Sequence, residues 1–541
     1  MQRSRLALIG VLALLVLLHL PLARARPADS SDHVDHYLRV EQYAHELRQG
    51  RWPQLLPDPV RGGGHAFPRF YPPLTHLAGA TVTLVIGDGV TATHVVATLT
   101  LLLSAAALFA LLRAGGAAAM AAALGAIAYG TMPYQYTLLY VRGAFAEATL
   151  FLWLPLLLLG VWRAFQERQL PRWWPLVLGA TILTHTALSL WAIPLLAIVV
   201  LLAFPPRLGP ALARPVAVAG LLASGLAMAY VLPMLDGLGS VRAGDPEVLW
   251  ATAAHLGETL DRLANPISLV VLEAALAVGA VIALWRLRGG SDTTRRLLAA
   301  TVLMQALVVG MIVAPSSVWN LVPQPLLYIQ FPWRLSSLVV FLVSLAIGLT
   351  TARFTTPTGR KVVVVCIALL VLAAVPRSVM TARDMPTVTR AQVHELLSMP
   401  YADHGLTQMG DYLPRDIRPQ ELALAIDHTR DSLVKANGVE GWRRTADGAT
   451  AELRLNIRSS VRLPLVGYPD LYRVVDGPER ALVAVSEVQG LLAVDLEAGN
   501  HRLEVVRKLP RSTSLGLAIA ALALLATLSV PRAWLRLSAK A

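Results

Sequence analysis

Residues 91–112 read TATHVVATLTLLLSAAALFALL, a run with no charged side chain. A helix rising 1.5 Å per residue needs roughly 20 apolar residues to cross a hydrocarbon core about 30 Å thick, so this run reads as a transmembrane helix. Runs nearly free of charge recur at 6–23, 144–162, 215–233, 266–285, 297–314, 333–351 and 513–530. Shorter ones lie at 117–133 and 362–376, and 174–204 reads as two short crossings that turn near Trp191. About twelve crossings follow. The whole chain agrees: 541 residues with 55% hydrophobic and 15% charged content and a mean hydropathy of +0.56 exclude an ordinary soluble protein.

Positive residues are retained on the cytoplasmic side of short loops. With Arg3 and Arg5 inside, this path keeps Arg113, Arg163, Arg168, Arg172, Arg207, Arg214, Arg286, Arg288, Arg295, Arg296, Arg353, Arg360, Lys361 and the tail bearing Arg532, Arg536 and Lys540 on the cytoplasmic face. Both termini are then cytoplasmic, and 24–72, 134–142, 236–265, 315–332 and 377–511 lie outside. The net charge of +13 is largely this orientation signal, which argues against nucleic-acid binding. The single Cys366 sits in an apolar run, so the outer segments fold without an internal disulfide. Arg5, the apolar core and Ala23-Arg24-Ala25 also resemble a cleavable secretion signal. Retention is expected, because cleavage would free the end of the first outer loop.

Five parts are expected: a first helix (1–23), a first outer loop (24–72), a multi-helix membrane part (73–376), an outer α+β domain (377–512), and a last helix with a basic tail (513–541). In the outer domain a helix at 389–398 precedes alternating segments at 451–457, 461–466, 471–475, 481–485, 490–496 and 501–506. Turn signals at Asp447-Gly448, Asp476-Gly477 and Gly499-Asn500 separate them. Six such strands imply a small β-sandwich.

The first outer loop carries more chemistry than an anchor needs. Ser30 or Ser31 can cap a helix that starts near Asp32 and stops at Gly50 before Pro53. Asp32, His36 and Arg39 then share one face, and Val40, Tyr43, Ala44 and Leu47 form an apolar stripe on another, so the helix should lie along the bilayer surface. A carboxylate between a His and an Arg can accept a proton, bind a divalent cation or orient a phosphate. Asp32 and Asp35 can equally serve the helix dipole, and Asp35–Arg39 is an ordinary i, i+4 pair.

Further elements follow in order: Gly62-Gly63-Gly64-His65, then FPRFYPPL from Phe67 to Leu74, Tyr140-Val141-Arg142-Gly143 with Glu147, Leu183-Thr184-His185-Thr186, and Gln330-Phe331-Pro332-Trp333-Arg334. Together they resemble the bacterial membrane family labelled 6-pyruvoyl-tetrahydropterin synthase-related, which resembles the GT-C class of glycosyltransferases that use polyprenyl-phosphate sugars. The family's Asp, His and Arg fall on Asp32, His36 and Arg39, its arginine-glycine and glutamate on Arg142, Gly143 and Glu147, its intramembrane histidine on His185, and its FPWR element on Phe331 to Arg334. The outer strands, with Tyr468-Pro469, resemble the β-domain of glycosyltransferases that decorate cell-surface polymers. The label does not imply pterin synthesis, because the histidines here have no compact ligand spacing.

The resemblance implies an all-α, GT-C-like membrane part with an outer, mainly-β domain before the last helix, in the cell (plasma) membrane. It implies transfer of a sugar from a polyprenyl-phosphate donor to a cell-envelope glycan, polymer or protein, with inversion if the acceptor attacks directly. Asp32 is the expected base and Asp35 its alternate, with His36 tuning or relaying, and in some members a divalent cation, Mg or Mn, is held at the acidic residue, here Asp32. Arg142 and Arg334 suit a phosphate by their bidentate fork, and Arg39 stands beside the base. Snorkelling to lipid headgroups is the structural alternative for both. Glu147 is costly inside an apolar helix unless paired, with Arg142 the nearest partner, and the pair can simply tie helices together. His185 serves as a ligand contact or a packing residue. Tyr71, Trp319, Tyr328 and Trp333 can stack on sugar or prenyl, as interfacial aromatics. Two rival functions stay open: a carrier that binds or moves a lipid-linked glycan, and an envelope scaffold acting through its β-domain.

Overall fold

The computed structural model describes residues 2–23, 32–56, 62–204, 208–244, 292–352, 356–384, 391–392, 412–415, 417, 419–435, 441–445 and 448–537. The expected run at 266–285, Arg286 and Arg288, the caps Ser30 and Ser31, and all of the expected helix at 389–398 except 391–392 lie outside the described residues.

In hydrocarbon a backbone amide has no water to bond, so the apolar runs close their hydrogen bonds within helices. These are α1 (Gln2–Leu18), α2 (His33–Arg48), α3 (Leu74–Ile86), α4 (Gly89–Ala114), α5 (Ala119–Thr131), α6 (Phe145–Glu167), α7 (Trp174–Thr184), α8 (Thr186–Ala203), α9 (Leu208–Gly237), α10 (Asp292–Ile312), α11 (Ser336–Thr351) and α12 (Pro357–Asp384), with α13 (Pro419–Lys435) and α14 (Arg511–Ser529) further on. Against an expectation of about twelve crossings, seven helices among the described residues are long and apolar enough to span a membrane, and three shorter apolar helices, α3, α5 and α7, pack among them. Small residues bring helices close: a Cβ on Gly125 or Gly348 would fall within 2.6 Å of Leu112, where α4, α5 and α11 meet.

The break in 174–204 falls at His185, not near Trp191. His185 leaves helical geometry at φ −156°, ψ 85°, and its Nδ1 accepts the Leu188 N–H at 3.3 Å, capping α8. Trp191 lies inside α8, donating to the Leu326 carbonyl at 3.0 Å. Trp174 and Leu178 of α7 line the same cavity as Ala197 and Phe204 of α8, so the two helices run antiparallel.

The C-terminal region is rich in strand, with eight strands where six were read. They are β1 (Trp442–Thr445), β2 (Gly448–Leu455), β3 (Ser459–Val466), β4 (Tyr472–Asp476), β5 (Ala481–Val483), β6 (Val485–Val488), β7 (Leu491–Leu496) and β8 (Gly499–Arg507). Antiparallel pairing gives sheets ordered β1-β2-β8-β4-β5 and β3-β7-β6, whose alternate residues, among them Ala451, Leu465, Val474, Val494 and Leu503, share one buried core. The segment read as one strand at 481–485 divides at Ala484, where the chain passes from the first sheet to the second.

Three contacts join the first loop to the strands and to α14. The Gly63 carbonyl accepts from the Val466 N–H at 2.8 Å, the Gln54 side chain accepts from Thr513 at 2.8 Å, and Arg507 of β8 reaches Glu46 of α2 at 3.0 Å.

Candidate functional site

Helix α2 starts after Asp32, whose side chain makes no cap bond, and ends before Gly50, which takes φ +69° as the stop signal there indicates. Its placement differs from expectation. Its polar face is not left in water: the helix is buried within the protein on nearly every side, including His33, Asp35, His36, Arg39, Gln42 and Glu46. The polar side chains go inside because most of them meet a partner. Asp35 and Arg39 pair at 3.0 Å, and Arg39 also lies 3.9 Å from the centroid of Phe67. His36 Nδ1 and His76 Nε2 of α3 stand 2.9 Å apart and share one proton. Burial, with His76 and Arg39 adding to it, holds the His36 pKa well below its usual value, so the ring is neutral at pH 7. Glu46 accepts from Arg51 at 2.9 Å and from Arg507. Burial pushes its carboxyl up, but the two guanidiniums hold it below the ordinary range.

Asp32 stands apart from these pairs. Its backbone N–H donates to the Arg142 carbonyl at 3.0 Å, yet its carboxylate makes no capping bond and lies 3.9 Å from Arg142, with a quarter of the side chain exposed. His36 is turned away to His76, so the relay expected between Asp32 and His36 is not assembled by side-chain contact. Among the described residues no group of three or more His, Cys, Asp or Glu is placed to hold a metal ion.

Arg142 is delivered by an irregular turn. Thr137–Arg142 forms a single π-helical turn that ends at Gly143, with φ +72°. A Cβ there would stand 2.6 Å from the His33 ring and 2.7 Å from its backbone nitrogen, so only glycine fits. Arg142 then bonds Glu147 at 2.9 Å and lies 4.2 Å from the centroid of Trp333. Glu147, 2% exposed, also accepts from Tyr134 at 2.5 Å and Ser337 at 2.8 Å. The buried carboxylate is therefore fully engaged, tying the turn, α6 and α11 together, and Trp333 covers this pair.

Arg334 sits differently. The FPWR segment turns sharply because Gln330 adopts φ +63° and Pro332 opens a 3₁₀ turn. Nη1 of Arg334 donates to the Ile329 carbonyl and to Gln330 Oε1, both at 3.1 Å, while Nε is buried with no hydrogen bond. Among the described residues no carboxylate pairs with it.

Arg334, Gln330, His185 and Tyr71 line a cavity of about 640 Å³ bounded by α7, α8 and α9. Its other walls are mostly apolar, with Tyr230, Tyr328 and Tyr412 among them. His185 Nδ1 already accepts a backbone N–H, so the ring proton is on Nε2 and is available as a donor. Tyr71 stacks on Phe67 at 4.6 Å. Burial raises its phenol pKa, Arg39 and Arg334 pull it back, and Asp32 and Glu147 reinforce the rise. Tyr71, with its ring centroid 5.9 Å from the Arg39 guanidinium, connects α2 to the cavity wall.

Of the expected site residues, Tyr71, His185 and Arg334 share the cavity wall, whereas Asp32, Asp35, His36, Arg39, Arg142, Glu147 and Trp333 do not. Sequence reasoning missed His76, Tyr134, Ser337 and Arg69. Arg69, 2% exposed, donates to the Pro233 carbonyl at 2.7 Å and pairs with Asp236 and Asp470. Its place in FPRFYPPL, an arginine among aromatics and prolines, was the available signal.

A search of curated protein sequences finds no match. Among solved structures, the crystal structure of the Archaeoglobus fulgidus oligosaccharyltransferase in complex with Zn and sulfate is similar at a TM-score of 0.45 and 14% identity, over 71% of this chain and 54% of that one. The chain thus spans about half the length of that structure. Residues 68–383, more than half of the chain, match the model of the 6-pyruvoyl-tetrahydropterin synthase related domain, described as a membrane protein. The chain belongs to this membrane protein family.

Proposed function

We propose that the protein transfers a sugar from a polyprenyl-phosphate donor to a cell-envelope acceptor, a glycan or a protein, at the extracytoplasmic face of the plasma membrane. The observation that carries this reading is Arg334. A guanidinium with no carboxylate in ion-pair distance among the described residues, on the wall of a large and mostly apolar cavity, suits a lipid phosphate: it carries a fixed positive charge with planar N–H donors, and the walls accept hydrocarbon. The His185 Nε2 proton adds a second donor.

In the transfer, an acceptor hydroxyl gives its proton to Asp32 as its oxygen attacks the anomeric carbon. The bond from that carbon to the phosphate oxygen breaks, and Arg334 stabilises the departing lipid phosphate. Asp32 suits the base because its carboxylate is partly exposed and not consumed by a close ion pair. Arg142, held by Glu147, lies beside it at 3.9 Å. Asp32 offers a Mg or Mn ion a single carboxylate with the Arg142 guanidinium beside it, a donor set that does not fit the ion.

A second reading, a carrier that binds the lipid-linked glycan without transfer, is favoured by one observation: the described residues lining the cavity include no carboxylate. Proteoliposome assays with a labelled polyprenyl-phosphate sugar separate the two. Transfer that is lost in Asp32→Asn while donor binding persists supports the enzyme, and binding without transfer in the wild type supports the carrier.

A further inference from the structure

A second cavity, of about 320 Å³, lies between α6, α7, α8 and α9, on the side of α8 toward its C-terminus. Every described residue on its wall is apolar, from Leu157 of α6 and Trp174 of α7 to Leu196 and Phe204 of α8 and Val216 of α9. Ile193 lines both cavities, so the two meet along α8. At 1.5 Å per residue, Ile193 is about 12 Å and Phe204 about 28 Å along the helix from His185.

We propose that this second cavity holds the distal prenyl tail of the lipid whose phosphate binds at Arg334, an inference that rests on the donor reading above. The second cavity offers no charged side chain among its described walls, and its one hydrogen-bonding side chain, Trp174, is spent on the Leu157 carbonyl at 2.9 Å, so nothing there suits a headgroup. It suits hydrocarbon that enters from a site where the polar end is already held. The upper cavity is such a site, and the shared Ile193 is the point of passage. Burial of apolar chain is favourable wherever it is excluded from water, but in a bilayer that gain is already available. The selectivity of the lower cavity therefore comes from fit, and it should read chain length: a tail ending above Ile193 gains nothing from it.

Gly220 makes a clean test. Gly220 is on the wall of this cavity and a Cβ added there meets nothing within 4 Å, so a larger side chain can start there without a backbone or side-chain clash. Binding of undecaprenyl phosphate and of geranyl phosphate is measured by native mass spectrometry on the full chain, for wild type, Gly220→Leu, Ala197→Phe and Arg334→Gln. The expected result is a wild type that prefers the long chain by about tenfold or more, with that preference abolished by Gly220→Leu and Ala197→Phe while geranyl phosphate binds as before. Unchanged geranyl phosphate binding also shows that the variants are folded. A chain-length preference that survives in both cavity-filling variants overturns the tail path alone. Binding of neither lipid by the wild type, or binding indifferent to Arg334→Gln, overturns the donor reading and the tail path with it.

Discussion

Replacing Glu147 with Gln should destabilise the protein more than any surface change, and replacing Glu147 and Arg142 together should cost clearly less than the sum of the two single replacements. The carboxylate is 2% exposed and accepts from Tyr134, Ser337 and Arg142 within 2.9 Å. A carboxamide keeps one acceptor oxygen, and its NH₂ faces groups that are themselves donors. Removing one partner of a buried ion pair costs about 3–5 kcal/mol. Arg142 keeps a weak contact with Asp32 at 3.9 Å and the face of Trp333, which places the expected loss near the lower end, about 3 kcal/mol. Arg142→Gln should cost a similar amount by stranding Glu147. The double variant strands neither charge, so the coupling energy should be about 2 kcal/mol. Reversible unfolding in mixed micelles, run as a double-mutant cycle, measures it. Additivity to within about 0.5 kcal/mol would show that the two residues do not act as a pair and refute the reasoning.

Three further outcomes follow from the same geometry. Because Glu46 is held below its unfolded pKa, its contribution is complete above that value and is lost as pH falls through the folded one. Melting temperatures recorded from neutral pH down to acid should therefore drop more steeply in wild type than in Glu46→Gln. Gly143→Ala forces a left-handed residue and a clash with the His33 backbone, an expected loss above about 2 kcal/mol on thermal unfolding, whereas Gly220→Ala should be near neutral. Arg69→Met removes the bond to Pro233 and leaves Asp236 and Asp470 to rehydrate, since both are about half exposed. The expected cost is about 2 kcal/mol, with faster proteolysis between the strands and α9.

The parts of this fold legible in the sequence are those written as periodicity or as local caps. The run at 91–112 became α4, α2 begins after Asp32, and most of the alternating segments became strands, because each depends on neighbours in sequence. Tertiary contacts overrode the rest. The sequence reads the turn in 174–204 near Trp191, but a side-chain cap at His185 decides it. Helix α2 has the sequence of a surface helix and is buried because His76, Arg507 and the Asp35–Arg39 pair engage most of its charged and imidazole groups, with partners up to hundreds of residues away. For the site, pattern alone identified Arg334, His185 and Tyr71, which share a wall. It also grouped Asp32 with His36, which the fold turns to different partners.

The central claim is that Arg334 holds a lipid phosphate while Asp32 takes a proton. It is tested most directly by sugar transfer in proteoliposomes from a labelled polyprenyl-phosphate donor to a cell-envelope extract, with wild type, Asp32→Asn and Arg334→Gln compared side by side. Transfer by the wild type, lost in Asp32→Asn with donor still bound and lost in Arg334→Gln together with donor binding, is the predicted result. Transfer that persists in both variants would contradict it.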